Sequence, residues 1–197
     1  MRTHRFEAFS DGVLAVIITI MVLELKVPDG NTLHDAVTTT GQSLLTYLLS
    51  FIYIGIYWSN HHHMFQVIKT VDGTTLWANL HLLFWLSLVP FTTKWMDESS
   101  FAQTPVMTYG VNLLAAGVAY YVLQYAAIAA EGPDSRLRRA LGSDVKGKVS
   151  PVVYLVGIAA AAVNVWIGVA LYTAVAIMWL IPDKRMERFI AQGGVNE

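Results

Sequence analysis

The chain has 197 residues, of which 55% are hydrophobic and 14% are charged, and it contains no cysteine. Soluble domains carry about 25% charged residues, so this composition predicts an integral membrane protein. The net charge of −1 and the absence of a long basic block argue against nucleic-acid binding, and a chain without cysteine excludes disulfides and thiolate chemistry.

Hydrophobic stretches along the chain predict six transmembrane helices, because about 20 mostly apolar residues can cross the hydrocarbon layer. The approximate bounds of the predicted spans are residues 6–25, 42–64, 75–96, 105–130, 150–163 and 166–181. We therefore predict an all-α integral membrane protein with a single transmembrane domain over residues 1–197.

Three details of the predicted helices concern their boundaries. Residues 33–40 are expected to form a short external helix before the second span. Pro90 is expected to kink the third span, which neighbouring helices tolerate. The hydrophobic block at 150–181 is too long for one spanning helix, so we predict two short helices with a tight break near residues 164–166.

The distribution of basic residues predicts the orientation of the chain. If both termini are cytoplasmic, all of the 13 lysines and arginines except Lys26 and Lys94 lie inside. This asymmetry is the one that the positive-inside rule expects. We therefore predict a multi-pass protein of the cell membrane with both termini in the cytoplasm.

The first span has two different faces. Ser10 and Asp11 lie on one side, and an acidic residue at membrane depth is costly unless it faces protein or water. A narrow, mostly apolar stripe lies on another side and contains Val16, Thr19, Ile20 and Leu23. On periodicity alone the stripe also fits ordinary helix packing. A helix that lines a central pathway on one side and is held by other helices on the opposite side needs both faces.

Polar residues gather toward the predicted cytoplasmic ends of the first three spans. This group contains Arg5, Ser10, Asp11, Trp58, His61, Asn79 and His81. Polar groups at low dielectric must be hydrogen-bonded, so we predict a network that ties the first helix to the next two. Asp11 can accept hydrogen bonds from His61, Trp58 or Asn79, and Arg5 can neutralise it. The network can serve as a brace or can handle ions or protons directly.

Two further features have alternative interpretations. The run at residues 61–63 consists of histidines, but successive helical residues point about 100° apart and cannot share one metal ion. A metal site shared by His61 and His81 is the alternative, and we predict no metal. Glu24, near the outer end of the stripe, can concentrate cations in a ring, can pair locally with Lys26, or can be a solvated acid at the interface.

The motif Arg5-x-x-x-Phe9-Ser10-Asp11, followed by a hydrophobic helix, resembles the signature of the transmembrane protein 175 family of potassium channels. Looser matches are Trp58-x-x-His61, Asn79, Pro90-Phe91 and the finish at residues 180–185. The resemblance implies a homotetramer of six-span subunits in the lipid bilayer, with the first helix of each subunit lining a central pore. Phe9 then belongs with the polar residues of the structural network.

The same resemblance implies roles for the stripe. In this family the residues five and eight positions after the aspartate form the narrow part of the pore, which are Val16 and Thr19 here. Ile20 and Leu23 would add further hydrophobic rings, and apolar constrictions gate by dewetting. The implied function is a leak-type, potassium-permeable cation channel. Conduction would be passive, with the potassium ion as permeant species, no cofactor and no enzymatic activity.

Two alternatives come from other functional classes. The chain can be a proton-coupled secondary transporter, with Asp11 and His61 as the proton relay. It can also be a membrane scaffold that transports nothing. The sequence contains no phosphate-binding loop and no Ser/His/Asp arrangement on recognisable elements, so neither a hydrolase nor an ATP-driven pump has support.

Overall fold

The computed structural model describes residues 3–142 and 144–180, and these residues form helices and no strands. The elements, in chain order, are α1 (Thr3–Leu23), α2 (Leu33–Val67), α3 (Gly73–Ser87), α4 (Val89–Glu98), α5 (Gln103–Glu131), α6 (Arg136–Leu141), α7 (Val145–Ala161) and α8 (Val165–Leu180). The predicted all-α fold class is therefore confirmed. The predicted end of the last span and most of the finish at 180–185 lie outside the described residues.

Within residues 3–142 and 144–180, three helical stretches are long and apolar enough to cross a membrane. They are His4–Leu23, Gly73–Glu98 and Gln103–Glu131. The α8 helix is apolar but shorter, with 16 residues. The number of membrane spans stays a prediction, since length and composition alone support these stretches.

The α2 helix begins earlier than the second predicted span. Thr32 caps it with a reciprocal pair: the Thr32 side chain accepts from the Asp35 N–H, and the Asp35 carboxylate accepts from the Thr32 N–H. Such a capping box satisfies donors that have no partner within the helix. The helix then continues to Val67, so the prediction of a separate external helix over residues 33–40 was wrong.

The third predicted span is interrupted next to its proline. The α3 helix ends at Ser87 and α4 begins at Val89, with Leu88 between them. Pro90 lies in the first turn of α4, where its missing N–H costs little. The Thr92 N–H donates to the Leu88 carbonyl at 3.0 Å, so the chain continues in helical form beyond the interruption.

The α7 and α8 helices form a tight hairpin. The turn closes with hydrogen bonds from the Val163 and Asn164 N–H groups to the Ala160 carbonyl, and the Asn164 side chain accepts from the Trp166 N–H at 2.9 Å. Gly168 makes the close approach of the helices possible, because a Cβ there would lie 2.9 Å from the Gly157 carbonyl oxygen. Residues 162–164 thus separate the two helices.

Two packed clusters hold the helices together. The first joins α1, α2, α3 and α5, and α1 contributes Phe6, Leu14, Ile17 and Met21 to it. The second joins α2, α5, α7 and α8 and is rich in tyrosine: Tyr53, Tyr109, Tyr154 and Tyr172 are all buried. Because α2 and α5 belong to both clusters, they join the packing around α1 to that of the α7–α8 hairpin.

Candidate functional site

The two faces of α1 differ sharply in burial. The first face carries Phe6, Ser10, Leu14, Ile17 and Met21, which are all buried against the rest of the chain. The second face carries the predicted stripe, in which Val16 is 54%, Ile20 is 43% and Leu23 is 81% exposed. The rest of the chain therefore leaves the stripe uncovered, although three of its four side chains are apolar.

Thr19 is the one polar residue of the stripe. It is exposed, and its hydroxyl donates to the Val16 carbonyl of its own helix at 2.9 Å. Because the hydroxyl hydrogen is used in this bond, the lone pairs of the Thr19 oxygen remain available to a cation or to a hydrogen-bond donor.

An open groove runs alongside the stripe between α1 and the α3–α4 segment. Val16 and Ile20 line it from α1, and Pro90 and Phe91 line it from α4. Phe9, predicted as part of the polar network, is 54% exposed and also lines this groove. The Pro90-Phe91 pair that matched the family pattern thus borders the uncovered side of α1.

Three of the predicted network residues meet in the interior. The His61 Nε2 lies 2.9 Å from the Asn79 Oδ1, and the Asn79 Nδ2 donates to the Ser10 Oγ at 2.9 Å. The Ser10 hydroxyl in turn donates to the Phe6 carbonyl at 3.2 Å. All three side chains are buried, so a hydrogen-bonded chain connects α2, α3 and α1.

The donor and acceptor roles in this series of hydrogen bonds assign the ring hydrogen of His61 to Nε2. The Asn79 amide nitrogen donates to Ser10, so its oxygen faces the imidazole and accepts from the Nε2–H. The Nδ1 atom of His61 is buried and has no hydrogen-bond partner among the described residues. The ring packs between aromatic side chains, with its centroid 4.5 Å from that of Phe65.

Asp11 belongs to a second, more exposed cluster. The Trp58 Nε1 donates to the Asp11 Oδ1 at 3.1 Å, and Trp58 stacks on His62. The His62 Nδ1 lies 2.6 Å from the Glu7 Oε1. Asp11 and His61 thus have different partners, and no hydrogen bond between them is present to support a proton relay.

Sequence reasoning missed Glu7 and His62, although a signal for them existed. Glu7 lies four residues before Asp11, and His62 lies four residues after Trp58, so each shares a helix face with a predicted residue. The Asp11–Trp58 bond therefore brings Glu7 and His62 together one helical turn away.

Two predicted network residues lie elsewhere. Arg5 is exposed, and no ion pair with Asp11 is found in the described part of the chain. His81 accepts from the Trp85 Nε1 at 3.0 Å within α3. No group of three or more histidines and acidic residues that could hold a metal ion occurs in residues 3–142 and 144–180.

Glu24 follows directly after α1 and pairs with a lysine from another element. Its Oε2 contacts the Lys94 Nζ on α4, at the end of the groove beside the stripe. The predicted alternative of a local pair with Lys26 was wrong. The physical reason is that α4 brings Lys94 against the end of α1, whereas Lys26 lies in the following loop, where its carbonyl accepts from Thr40.

These features define a class of protein: a helical membrane protein whose first helix is braced on one face and uncovered on the other. Residues 5–90 match the family model for the endosomal/lysosomal potassium channel TMEM175. A potassium channel of Chryseobacterium sp. (strain P1-3) is 50% identical over 98% of this chain and 100% of its own length. The chain belongs to the TMEM175 family.

A sequence match and a structural match to Chamaesiphon minutus agree with this assignment. A potassium channel of Chamaesiphon minutus is 32% identical over 91% of this chain and 94% of its own length. The crystal structure of a lysosomal potassium-selective channel TMEM175 homolog from Chamaesiphon minutus matches 90% of this chain and 95% of its own, with a TM-score of 0.75 and 32% identity. The family that the Arg5-to-Asp11 motif predicted is therefore confirmed.

Proposed function

We propose that this chain is the subunit of a potassium-permeable, leak-type cation channel of the cell membrane. Its relatives in Chryseobacterium and Chamaesiphon are potassium channels over nearly the whole length of the chain. Conduction is passive, and the protein needs no cofactor and catalyses no reaction. Six spans with both termini in the cytoplasm place the network of Ser10, His61 and Asn79 toward the inner side.

The observation that carries the proposal is the uncovered stripe of α1. Exposed apolar side chains of a membrane protein contact either lipid or another copy of the chain, and the open groove beside this stripe, together with the match to potassium channels, supports contact with another copy. In a homotetramer, the α1 helices surround the axis and Val16, Thr19, Ile20 and Leu23 border the ion pathway. The buried network behind α1 then holds the helix in register.

The chemistry of the stripe fits a cation pathway with a hydrophobic gate. Rings of Val16, Ile20 and Leu23 would exclude water when they are close together and admit it when α1 moves outward. A ring of Thr19 would present hydroxyl oxygens, because each hydroxyl hydrogen is bonded to the Val16 carbonyl of its own helix. The pore would therefore be apolar with one level of oxygen atoms, and it would contain no fixed charge along the stripe.

Flux measurements on purified protein in liposomes test the proposal. A channel passes potassium down its gradient with no obligatory proton exchange, whereas a proton-coupled transporter moves protons in a fixed ratio to potassium. Potassium and sodium gradients of equal size compare the permeant ions. Purified protein that passes neither ion would support the scaffold alternative and contradict the channel.

Cysteine modification tests which face of α1 lines the pathway, and the chain has no native cysteine to interfere. We expect a methanethiosulfonate reagent to block potassium flux through a Val16→Cys variant. Val118→Cys on α5 is the matched control, because this valine is exposed to a similar degree, at 46%, on a different helix. Equal sensitivity of the two variants would contradict a pore lined by α1.

A further inference from the structure

The outer end of α1 carries an ion pair whose two members come from different helices. Glu24 follows Leu23, the last residue of α1, and its Oε2 contacts the Nζ of Lys94 on α4. Their side chains are 36% and 43% exposed, respectively. Both side chains remain accessible to solvent ions, so the removal of either charge changes the electrostatic potential outside the protein.

Three further charged residues lie near this ion pair, and one of them, Asp97, is bound to another helix. The Asp97 carboxylate accepts from the Ser43 hydroxyl at 2.5 Å and from the Gln42 amide at 3.1 Å, which ties it to α2. Lys26 and Glu98 line the adjacent hollow with Asp97, and both are exposed. Lys94 is therefore the cation in direct contact with Glu24.

The ion pair is continuous with the predicted pore-lining surface. Glu24 and Lys94 line the same groove as Val16 and Ile20. Glu24 also follows Leu23, the outermost residue of the stripe, without an intervening residue. A symmetric assembly of subunits around the stripes therefore places one Glu24–Lys94 pair from each subunit near the same end of α1.

We propose that Lys94 sets the cation concentration at the outer mouth of the pore by neutralising Glu24. This inference rests on the proposed function, since it needs α1 to border an ion pathway. With Lys94 in place, each subunit contributes a pair with no net charge. Without Lys94, the mouth carries a ring of carboxylates, which attracts potassium ions and raises the rate at which they enter.

Ionic strength separates this effect from a change in pore shape. The screening length is about 30 Å at 0.01 M salt and about 3 Å at 1 M salt. A surface charge therefore influences ion entry strongly in dilute external solution and weakly in concentrated solution. A structural change in the pore alters conductance at both concentrations.

The test is chemical modification of a Lys94→Cys variant during single-channel recording. A trimethylammonium-ethyl methanethiosulfonate restores the positive charge at position 94, and a sulfonatoethyl reagent adds a negative one. In about 0.02 M external potassium chloride, we expect the unmodified variant to conduct inward current at least about two-fold better than the wild type. The cationic reagent should reverse this gain and the anionic reagent should increase it, and all differences should vanish near 1 M.

The Glu24→Gln/Lys94→Cys double variant is the matched control. It lacks both charges, so its inward conductance in dilute solution should return to the wild-type value. The inference is overturned if the Lys94→Cys variant and both modified forms conduct like the wild type at low salt, or if their differences persist at 1 M. Wild-type protein that passes no potassium at 1 M would instead overturn the proposed function, so the two failures are distinguishable.

Discussion

The imidazole of His61 and the carboxamide of Asn79 lie 2.9 Å apart, from Nε2 to Oδ1, at a buried contact between α2 and α3. The same carboxamide reaches Ser10 on α1 through its nitrogen. The Asn79 side chain on α3 therefore connects α2 and α1 by hydrogen bonds. This arrangement makes Asn79 the central member of the network, although the sequence had pointed first to Asp11.

Asn79→Ala should lower the free energy of unfolding by about 2–4 kcal/mol, because two buried hydrogen bonds are lost and His61 keeps no partner on either ring nitrogen. Thermal unfolding in detergent measures the change. Gln66→Ala is the matched control, since it also removes an amide–imidazole bond, to His62, but at an exposed position. Equal losses in the two variants would show that burial of the network does not matter.

The bond between Trp58 and Asp11 should contribute much less, because Trp58 is half-exposed and Asp11 is only partly buried. A double-mutant cycle with Trp58→Phe and Asp11→Ala should give a coupling of about 0.5–1 kcal/mol. Asp11→Asn keeps an oxygen acceptor and should preserve most of that energy. A coupling as large as that of a buried network would contradict the assignment of Asp11 to the outer cluster.

The sequence predicted the members of the polar network better than their pairing. Ser10, Asp11, His61 and Asn79 could be grouped because each lies near the same predicted membrane face. Ser10 and Asp11 differ by only about 100° around α1, and the sequence does not determine how far the helix is rotated. Burial of Phe6, Leu14 and Ile17 sets that rotation, and it turns Ser10 inward and Asp11 toward the surface.

Contacts between residues far apart in the chain could not be predicted from the sequence, for a different reason. The partner of Glu24 is Lys94, some 70 residues further along the chain, and only the packing of α1 against α4 brings them together. Lys26 was the natural expectation because it is close in sequence. Likewise, the threonine-rich start of α2 resembled a separate segment, whereas its capping box at Thr32 places these residues on the same helix as the span.

Acid should weaken the start of α3, because Asp72 caps it as an anion. The Asp72 Oδ1 accepts from the Thr75 N–H at 2.8 Å and from the Thr75 hydroxyl at 2.7 Å, and these bonds hold the pKa of Asp72 below its ordinary value. A lowered folded pKa means that the cap is at full strength above about pH 3.9 and is lost as the pH falls through the folded value.

Melting temperatures of the wild type and an Asp72→Asn variant between pH 6 and pH 3 test this prediction. Asparagine still caps the helix but does not titrate in this range. The difference in melting temperature between the wild type and the Asp72→Asn variant should therefore be constant near pH 6 and should shrink below about pH 3.9. A difference that stays constant down to pH 3 would contradict the anionic cap.

Glu131→Ala should loosen the segment between α5 and α7. The Glu131 carboxylate accepts from the Lys69 N–H at 3.1 Å, from the Ser135 hydroxyl at 2.8 Å and from the Leu137 N–H at 3.3 Å. Its loss should cost about 1–2 kcal/mol and speed up hydrogen exchange at the Leu137 amide. Asp134→Ala, at an exposed position in the same turn, should leave that exchange unchanged.

Leu23→Asn should raise potassium flux if the stripe forms the gate. Leu23 is the most exposed apolar residue of α1, and a polar ring at this level favours water in the constriction and opposes dewetting. We expect flux per reconstituted subunit to rise by at least about two-fold, measured in liposomes with a potassium gradient. Leu155→Asn on α7, also more than half exposed, controls for the cost of a polar side chain on an outer helix face and should not raise flux. If both variants behave alike, the outer end of α1 does not limit conduction, and the gate must lie deeper, at Val16 or Ile20.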